Sequence, residues 1–416
     1  MNCLMTLRVR HTLGGMQNTD VLISGASIAG PALAYWLSEY GFTTTVVERA
    51  PALRAGGQTV DLRGAGRTVI ERMKLMDQVR GVSLDQRGIA FVGADGRIRA
   101  RMPAELFGGE GIVSDIEVLR GDLAQVLYEA TVPATEYLFD DTARGLDQDD
   151  KGVTVTFEKA PPRRFSLVIG ADGLNSAIRG LAFGPQAQYV RPLGCYTAWF
   201  TAAADFDLGG WFLMHNAPGG LVASIRPGRV PGETKAGLTF RSAPIDDGPH
   251  DTAWQMDILA ARFSCARWEV PRLLKAMRTA PDFFFDSIGQ VRLDRWFSRR
   301  TVLVGDAAYC PTPLTGLGTS LALVGAYVLA GELAAAGGDH HIAFTRYEEI
   351  MRPYVTRGQQ LPPGGIRAFA PDSAIAIGLR QASMNWMSRW PMRRLLAGQF
   401  AKAADIELPD YTLDHT

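Results

Sequence analysis

A glycine turn, a few carboxylates placed at strand ends and a scatter of arginines are the parts of this chain equipped for chemistry. Val21-Leu22-Ile23-Ser24 is apolar and runs into Gly25-Ala26-Ser27-Ile28-Ala29-Gly30, then a helical stretch from Pro31 to Tyr40, then Thr43 to Val47 ending in Glu48-Arg49. This order is strand, glycine turn, helix, strand. Gly25 permits the tight turn, Gly30 lets helix and strand pack closely, and the helix N-terminus directs amides at a pyrophosphate. Gly25, Ser27, Ala29 and Gly30 are therefore candidate cofactor contacts. Ser27 replaces the middle glycine of the pattern, which crowds the approach to the phosphates. Glu48, at the strand end, is placed to accept ribose hydroxyls. A glycine turn that merely joins strand to helix is the competing reading.

Two later segments also put a carboxylate at a strand end. Ser166-Leu-Val-Ile-Gly-Ala-Asp172 leads into Gly173-Leu-Asn-Ser176-Ala-Ile-Arg179, and Thr301-Val-Leu-Val-Gly305 leads into Asp306-Ala-Ala. Asp172 and Asp306 fall at the rim where open α/β sheets bind ligands, and carboxylates there suit sugar or ribityl hydroxyls. A helix N-cap is an equally open role for each. After Asp306 come Pro311, Pro313, Gly316 and Gly318 before an apolar helix, so bare amides stand at a helix start. Such a start can stabilise negative charge on a reduced isoalloxazine at its N1/C2 edge.

Other chemistries lack their residues. The six histidines show no metal-ligand spacing, and His340-His341, in a Gly-rich loop, reads as solvent-facing. There is no GxSxG elbow. Four scattered cysteines with no CxxC pair and no secretory signal fit a reduced, cytoplasmic setting. With 43 Lys+Arg against 43 Asp+Glu and no block of like charges, nothing invites nucleic acid or an anionic membrane. The apolar run Leu321 to Ala330 is about half the roughly 20 residues a membrane span needs, and it reads as a buried helix.

The elements that must position these residues follow from length and texture. A chain of 416 residues, 47% hydrophobic and 21% charged, is expected to form two or three globular domains. The expected fold class is α/β: a doubly wound, Rossmann-like, three-layer domain with an inserted antiparallel-sheet domain and a C-terminal helix. Residues 1–18 read as a loose extension or an early start, with Met16 available. Residues 19–87, 103–190 and 286–345 are expected to form the dinucleotide-binding domain, 88–102 and 191–285 the substrate-binding domain, and 346–416 a C-terminal helical segment. Asp95-Gly96 predicts a type I′ hairpin, and a long helix is expected near Thr252 to Ala266. Tyr196, Trp199, Phe200, Trp211, Met214 and Phe240, on alternating strands, are candidates to line an aromatic substrate cavity; plain core is the competing reading.

Together GASIAG, Glu48-Arg49, Arg120-Gly-Asp, DGLNSAIR and GDAAYCPTPLTGLG resemble the class A, single-component flavoprotein monooxygenases of the p-hydroxybenzoate hydroxylase type. The likeness covers nearly the whole chain from about residue 19. It implies FAD on the first motif and Arg49, an Asp-Gly segment at Asp172 serving FAD and NADPH, and Asp306 on the ribityl chain. It also implies Arg120 on the FAD side chain, backbone contacts from Gly316, Leu317 and Gly318, and Pro313 where flavin and substrate meet. Gly56-Gly57-Gln58-Thr-Val-Asp61-Leu-Arg63-Gly64, Gly305 to Leu333, Ala343 to Tyr347 and Ile406-Glu-Leu-Pro-Asp-Tyr411 are similar to the tetracycline destructases. In that group the residues matching Asp61, Arg120 and Asp306 contact FAD, and the arginine matching Arg54 is linked to NADPH. Arg54 and Arg63 are also compatible with solvated positions. Thr319-Ser320 departs from a usual asparagine, and the strand Ala236 to Arg241 lacks that group's substrate-binding histidine.

The activity implied by the resemblance is hydroxylation of a tetracycline through a flavin C4a-hydroperoxide, with dioxygen and NADPH (or NADH) as co-substrates. No side chain is needed as acid or base, and a monomer or weak dimer is expected. No second strand-GxGxxG-helix unit exists, so NADPH docks transiently on the FAD domain. A C-terminal helix carrying Met384, Trp386, Met387, Trp390 and Met392 covers the substrate entrance or serves domain packing. Hydroxylation of another aromatic polyketide or phenol, a non-oxygenating FAD reductase, and a flavin-free scaffold stay open.

Overall fold

The computed structural model describes residues 18–54, 56–104, 116–203, 206–229, 232–245, 249, 251–387 and 406–411. The expected N-terminal extension lies outside these residues except for Asn18, whose side-chain amide donates to the Gly338 carbonyl (2.8 Å) and accepts from Arg300 (2.7 Å). Trp390, Met392 and the side chain of Met387 also lie outside them.

The strand Asp20–Ser24 buries Val21, Leu22 and Ile23 completely, as a central parallel strand must. It pairs with Thr43–Glu48 on one side and Leu167–Gly170 on the other. Thr135–Phe139 extends the first flank and Thr301–Leu303 the second, all parallel, and the antiparallel strand Phe297–Ser298 completes a six-stranded sheet. The chain runs outward to Thr135–Phe139 and then returns to the opposite flank. The topological switch point therefore lies between Asp20–Ser24 and Leu167–Gly170, where such sheets bind ligands. The helix Ala29–Glu39 packs against Gly318–Ala335, which in turn packs against His340–Gly358. Gly318–Ala335 is long and apolar enough to cross a bilayer, yet 83% of it is buried inside the fold.

A seven-stranded sheet runs in the order Phe284–Val291, Val190–Ala202, Thr234–Arg241, Leu221–Pro227, Phe212–Ala217, Gly88–Val92, Ile98–Pro103. Its strand Phe284–Val291 continues past residue 285, where the sequence texture changes. Strand alternation gives this sheet two faces. One, with Ala198, Phe200, Leu238 and Phe240, is covered by the helices Thr252–Arg262 and Val270–Met277 through Leu259, Phe263 and Leu273. The other carries Phe91, Phe212, Met214 and Val222 and meets Ala370 and Met384 of the C-terminal segment.

Three local expectations are corrected. Gly96 is left-handed (φ +74°) and Asp95 is not, and Gly96 N donates to Gly93 O (3.0 Å), so the hairpin uses a three-residue loop closing at a glycine instead of a type I′ turn. The helix starting at Thr252 stops at Arg262, four residues short of Ala266. His340 is buried at 5% exposure, because Asp339 caps a helix that begins there and turns the ring onto Phe344.

Candidate flavin site

Four adjacent parallel strands carry the chemistry-bearing residues to one rim: Gly305 and Asp306 after Thr301–Leu303, Asp172 after Leu167–Gly170, Gly25 after Asp20–Ser24, and Glu48 closing Thr43–Glu48. Gly25 holds φ +108°, and a Cβ there would sit 2.5 Å from the Ala171 carbonyl oxygen. A Cβ on Gly30 would lie 1.9 Å from the Gly25 oxygen. The helix start can approach the turn only because both positions lack side chains. Backbone against backbone has little room to yield, so Gly30→Ala should lower stability by about 2 kcal/mol. Chemical denaturation would register this as a lower midpoint, and an unchanged midpoint would contradict the close approach.

Glu48 is fixed by two amides, Ala26 N to Oε2 and Ala50 N to Oε1, each 2.9 Å. A carboxylate has about four acceptor sites. Two therefore remain for a ligand's hydroxyls. Asp172 differs: its carboxylate accepts from Ser24 Oγ (3.4 Å), Ala177 N (2.8 Å), Ile178 N (3.1 Å) and, in a short contact, Ser176 Oγ. Three of these contacts fall on Oδ2, where Asp172 holds the first two amides of the helix Ala177–Phe183 beside its N-cap Ser176, and Oδ1 keeps an acceptor site beyond the Ser176 contact.

Asp306 is more than a third accessible although protein surrounds it closely, as on the wall of a deep cleft. Its Oδ1 lies 3.9 Å from where a Gly318 Cβ would stand. The surrounding protein raises its carboxyl above the ordinary range, with Cys310 and the Arg120 guanidinium pulling it back. Arg120 is within electrostatic reach of Asp306, Glu48 and Arg54, and desolvation lowers its affinity for its proton. No acceptor among the described residues lies within hydrogen-bond distance of its guanidinium. That desolvated cation fits an anionic group such as a pyrophosphate. Exposed Arg54 stands on the loop that Gly121 admits, where a Cβ would lie 2.5 Å from the Arg54 carbonyl. Exposed Arg49 faces Asp286 electrostatically.

The second wall is the segment 310–318. Asp61, paired with Arg63 at 2.9 Å, has its Oδ2 3.6 Å from where a Gly316 Cβ would stand. Pro313 is exposed and Leu317 buried. Leu317 begins the helix Gly318–Ala335 with no side-chain cap, so first-turn amides of a long helix stay available to an electron-rich ring edge. Ser320 gives its hydroxyl to the Arg63 carbonyl (3.0 Å). Thr312 has φ +89° and ψ +146°, a region that costs a β-branched residue on the order of 1–3 kcal/mol. Arg179, fully buried, ties two of the rim segments by donating to the carbonyls of Ala307 (2.9 Å) and Leu174 (2.6 Å).

The aromatic candidates divide by strand parity. Tyr196, Phe200 and Phe240 point to the helix-covered face, where Phe200 and Phe240 are core and Tyr196 stacks on Phe240 and Phe285. Tyr196 does border a cavity of about 190 Å³ with Trp254, Phe285 and Asp286. That volume falls below the roughly 300–1,000 Å³ of typical ligand sites. Trp211 lies under Arg101 at the sheet edge, 5.3 Å from the guanidinium carbon to the ring centre. Trp199 and Met214 occupy the opposite face with Phe212.

Arg226 on that face and its partner Glu117, on the strand Glu117–Leu119 that pairs with Thr59–Asp61, escaped sequence reasoning. Arg226 lies over Phe212 (3.9 Å) and Trp199 (6.0 Å) and forms a buried ion pair with Glu117, which also accepts from Thr59 Oγ1 (2.7 Å). Burial raises the Glu117 carboxyl above the ordinary range, Asp61 pushes it the same way, and Arg226 opposes them. The missed signal was an arginine at inward parity in Leu221–Pro227, in register with buried Val222 and Ser224.

Comparison with known proteins agrees with this geometry. Residues 18–357 match a family described as FAD binding domain. An uncharacterised Mycobacterium tuberculosis protein is 44% identical over 352 residues, covering 84% of this chain and 94% of its own length. A flavin-dependent monooxygenase from an unknown prokaryotic organism is 38% identical over 392 residues, covering 94% and 98%. Among solved structures, tetracycline destructase Tet(55) superposes with a TM-score of 0.79 at 36% identity, covering 95% of this chain and 99% of that one.

Proposed function

Because the chain belongs to the flavin-dependent monooxygenases that carry an FAD binding domain, we propose that it hydroxylates a tetracycline, taking electrons from NADPH or NADH. The observation that carries this reading is the 36% identity to tetracycline destructase Tet(55) across 95% of the chain. On it, residues 19–87, 103–190 and 286–345 hold FAD, residues 88–102 and 191–285 hold the substrate, and residues 346–416 close the structure.

Bound FAD, once reduced, supplies the activation of dioxygen; the chain supplies binding, orientation and exclusion of water. Glu48 accepts ribose hydroxyls through its two free acceptor sites. Arg120 neutralises phosphate oxygens, and Asp306 accepts from the ribityl chain. The amides at Leu317 and Gly318 set a positive field beside the pyrimidine edge of the ring. Trp199, Phe212 and Met214 share one face of the seven-stranded sheet with the Arg226 guanidinium, and a fused-ring substrate would lie on that side of the sheet, away from the helix-covered face. Arg54, exposed beside the Gly121 crossing, is placed to meet a nicotinamide dinucleotide that docks and leaves.

A second reading is hydroxylation of a different polycyclic enol or phenol. It is favoured by Gly237 and Thr239, which meet Trp199, Ser224 and Thr197 on the substrate-side face with no histidine among them. NADPH oxidation and oxygen uptake by the FAD-loaded protein should rise several-fold when a tetracycline is added. A flavin-loaded protein that ignores tetracyclines but consumes NADPH with another polyketide phenol would establish the second reading instead.

A further inference from the structure

Thr312 is 2% exposed, holds a left-handed backbone (φ +89°) just before Pro313, and its hydroxyl has no hydrogen-bond partner among the described residues. Its own side chain thus offers the strained conformation no support. The support comes from two glutamine amides brought from elsewhere in the chain.

Gln359, just after the helix His340–Gly358, donates through Nε2 to the carbonyls of Val291 (2.7 Å) and Tyr309 (3.0 Å), with Cys310 O at 3.4 Å. Gln290, on the strand Phe284–Val291, donates to Pro311 O (2.9 Å) and to the backbone carbonyl of Gln359 (2.7 Å). Both are buried, at 5% exposure for Gln290 and 4% for Gln359. Arg292 donates to Gln290 Oε1 at 3.0 Å and so orients its amide. Two side chains therefore grip the carbonyls of the three residues preceding Thr312. One of them belongs to the seven-stranded sheet.

We propose that Gln290 and Gln359 are positioning residues that hold Tyr309–Pro311, keep Thr312 in its left-handed conformation, and thereby aim the Leu317 and Gly318 amides at the flavin. Backbone strain of this kind persists only where the surroundings over-determine it. These buried amides are the surroundings that do so. The inference rests on the FAD assignment and is independent of which substrate is hydroxylated.

The test measures FAD affinity of the apoprotein together with the visible absorption band of the bound flavin, without substrate. Gln359→Leu keeps volume and removes the donors; its FAD dissociation constant should rise about tenfold, with a shifted flavin band. Thr312→Gly alone, whose glycine adopts this φ freely, sets the reference FAD affinity for the double variant. Gln359→Leu with Thr312→Gly should recover most of the lost affinity. Native affinity and spectrum in Gln359→Leu would overturn the proposal. So would a double variant no better than Gln359→Leu. If Gln359→Leu does not accumulate as folded protein, Gln290→Leu, alone and with Thr312→Gly, is judged by the same outcomes.

Discussion

Asp306→Ala should retain FAD about ten- to a hundredfold less tightly than the parent chain, with the apoprotein still folded. Its carboxylate is accessible on the cleft wall, close to Gly318, and opposed by the Arg120 cation. A hydrogen bond to a charged group is worth about 1.5–3 kcal/mol, and each 1.4 kcal/mol is a factor of ten in binding. Surrounding protein already penalises the charged form, so removing the carboxyl relieves the apoprotein of a desolvated group. The loss should appear in ligand affinity far more than in folding stability. Retention of flavin through gel filtration or dialysis measures the effect, and full occupancy in the variant would contradict the role assigned to Asp306.

Arg226→Met should cost about 3–5 kcal/mol of stability near neutral pH, because it leaves Glu117 buried without its partner. Both side chains are below a tenth exposed, at 9% and 6%, so solvent cannot replace the lost contact. The pH dependence has a definite sign. Burial raises the Glu117 carboxyl in the folded chain, and loss of Arg226 removes the influence that opposed the rise. The folded variant then holds the proton to higher pH than the unfolded chain does, so its stability falls as pH rises above the unfolded glutamate value of about 4.3. Denaturation midpoints of the variant should approach those of the parent at ~pH 5 and separate at ~pH 8. Glu117→Gln combined with Arg226→Met should recover much of the loss, since the uncompensated charge is gone. Equal destabilisation at both pH values, or no recovery in the double variant, would show that packing and not charge dominates.

The parts of the site that were legible in sequence are those whose constraint is local. Gly25 and Gly30 meet each other within one strand-turn-helix unit, and Glu48 closes the next strand, so residue type and spacing suffice. Asp306 likewise announces itself by its place after Thr301–Leu303. Features set by partners far along the chain were silent. Gly121 exists for the loop at Arg54, Gly66 for the crossing at Ser320, and Gly331 for the ring of Tyr411. Glu117 pairs with Arg226, Gln290 with Pro311, and neither pairing has a local signature. The aromatic residues show a different failure. On the strand Val190–Ala202, alternation sets Tyr196, Ala198 and Phe200 against Thr197, Trp199 and Thr201, but both sides carry aromatic rings and alternation does not say which side helices cover. The covering helices decide it.

Asp172 shows how one residue at the rim can also anchor a helix start. The sequence places it at the ligand-binding rim, and the structure agrees, but four protein donors surround its carboxylate. A carboxylate needs spare acceptor sites to serve a ligand. Glu48 keeps two of them and Asp172 keeps one, on Oδ1.

The central proposal is that this chain moves one atom of dioxygen into a tetracycline beside the segment 310–318. The direct measurement is mass spectrometry of the product after FAD-loaded protein, NADPH and a tetracycline react under isotopically labelled dioxygen. The expected result is a product heavier by one labelled oxygen atom, formed in step with NADPH oxidation and diminished in the Asp306→Ala variant at limiting FAD. Unlabelled tetracycline recovered intact, with NADPH consumed only to make hydrogen peroxide, would contradict it.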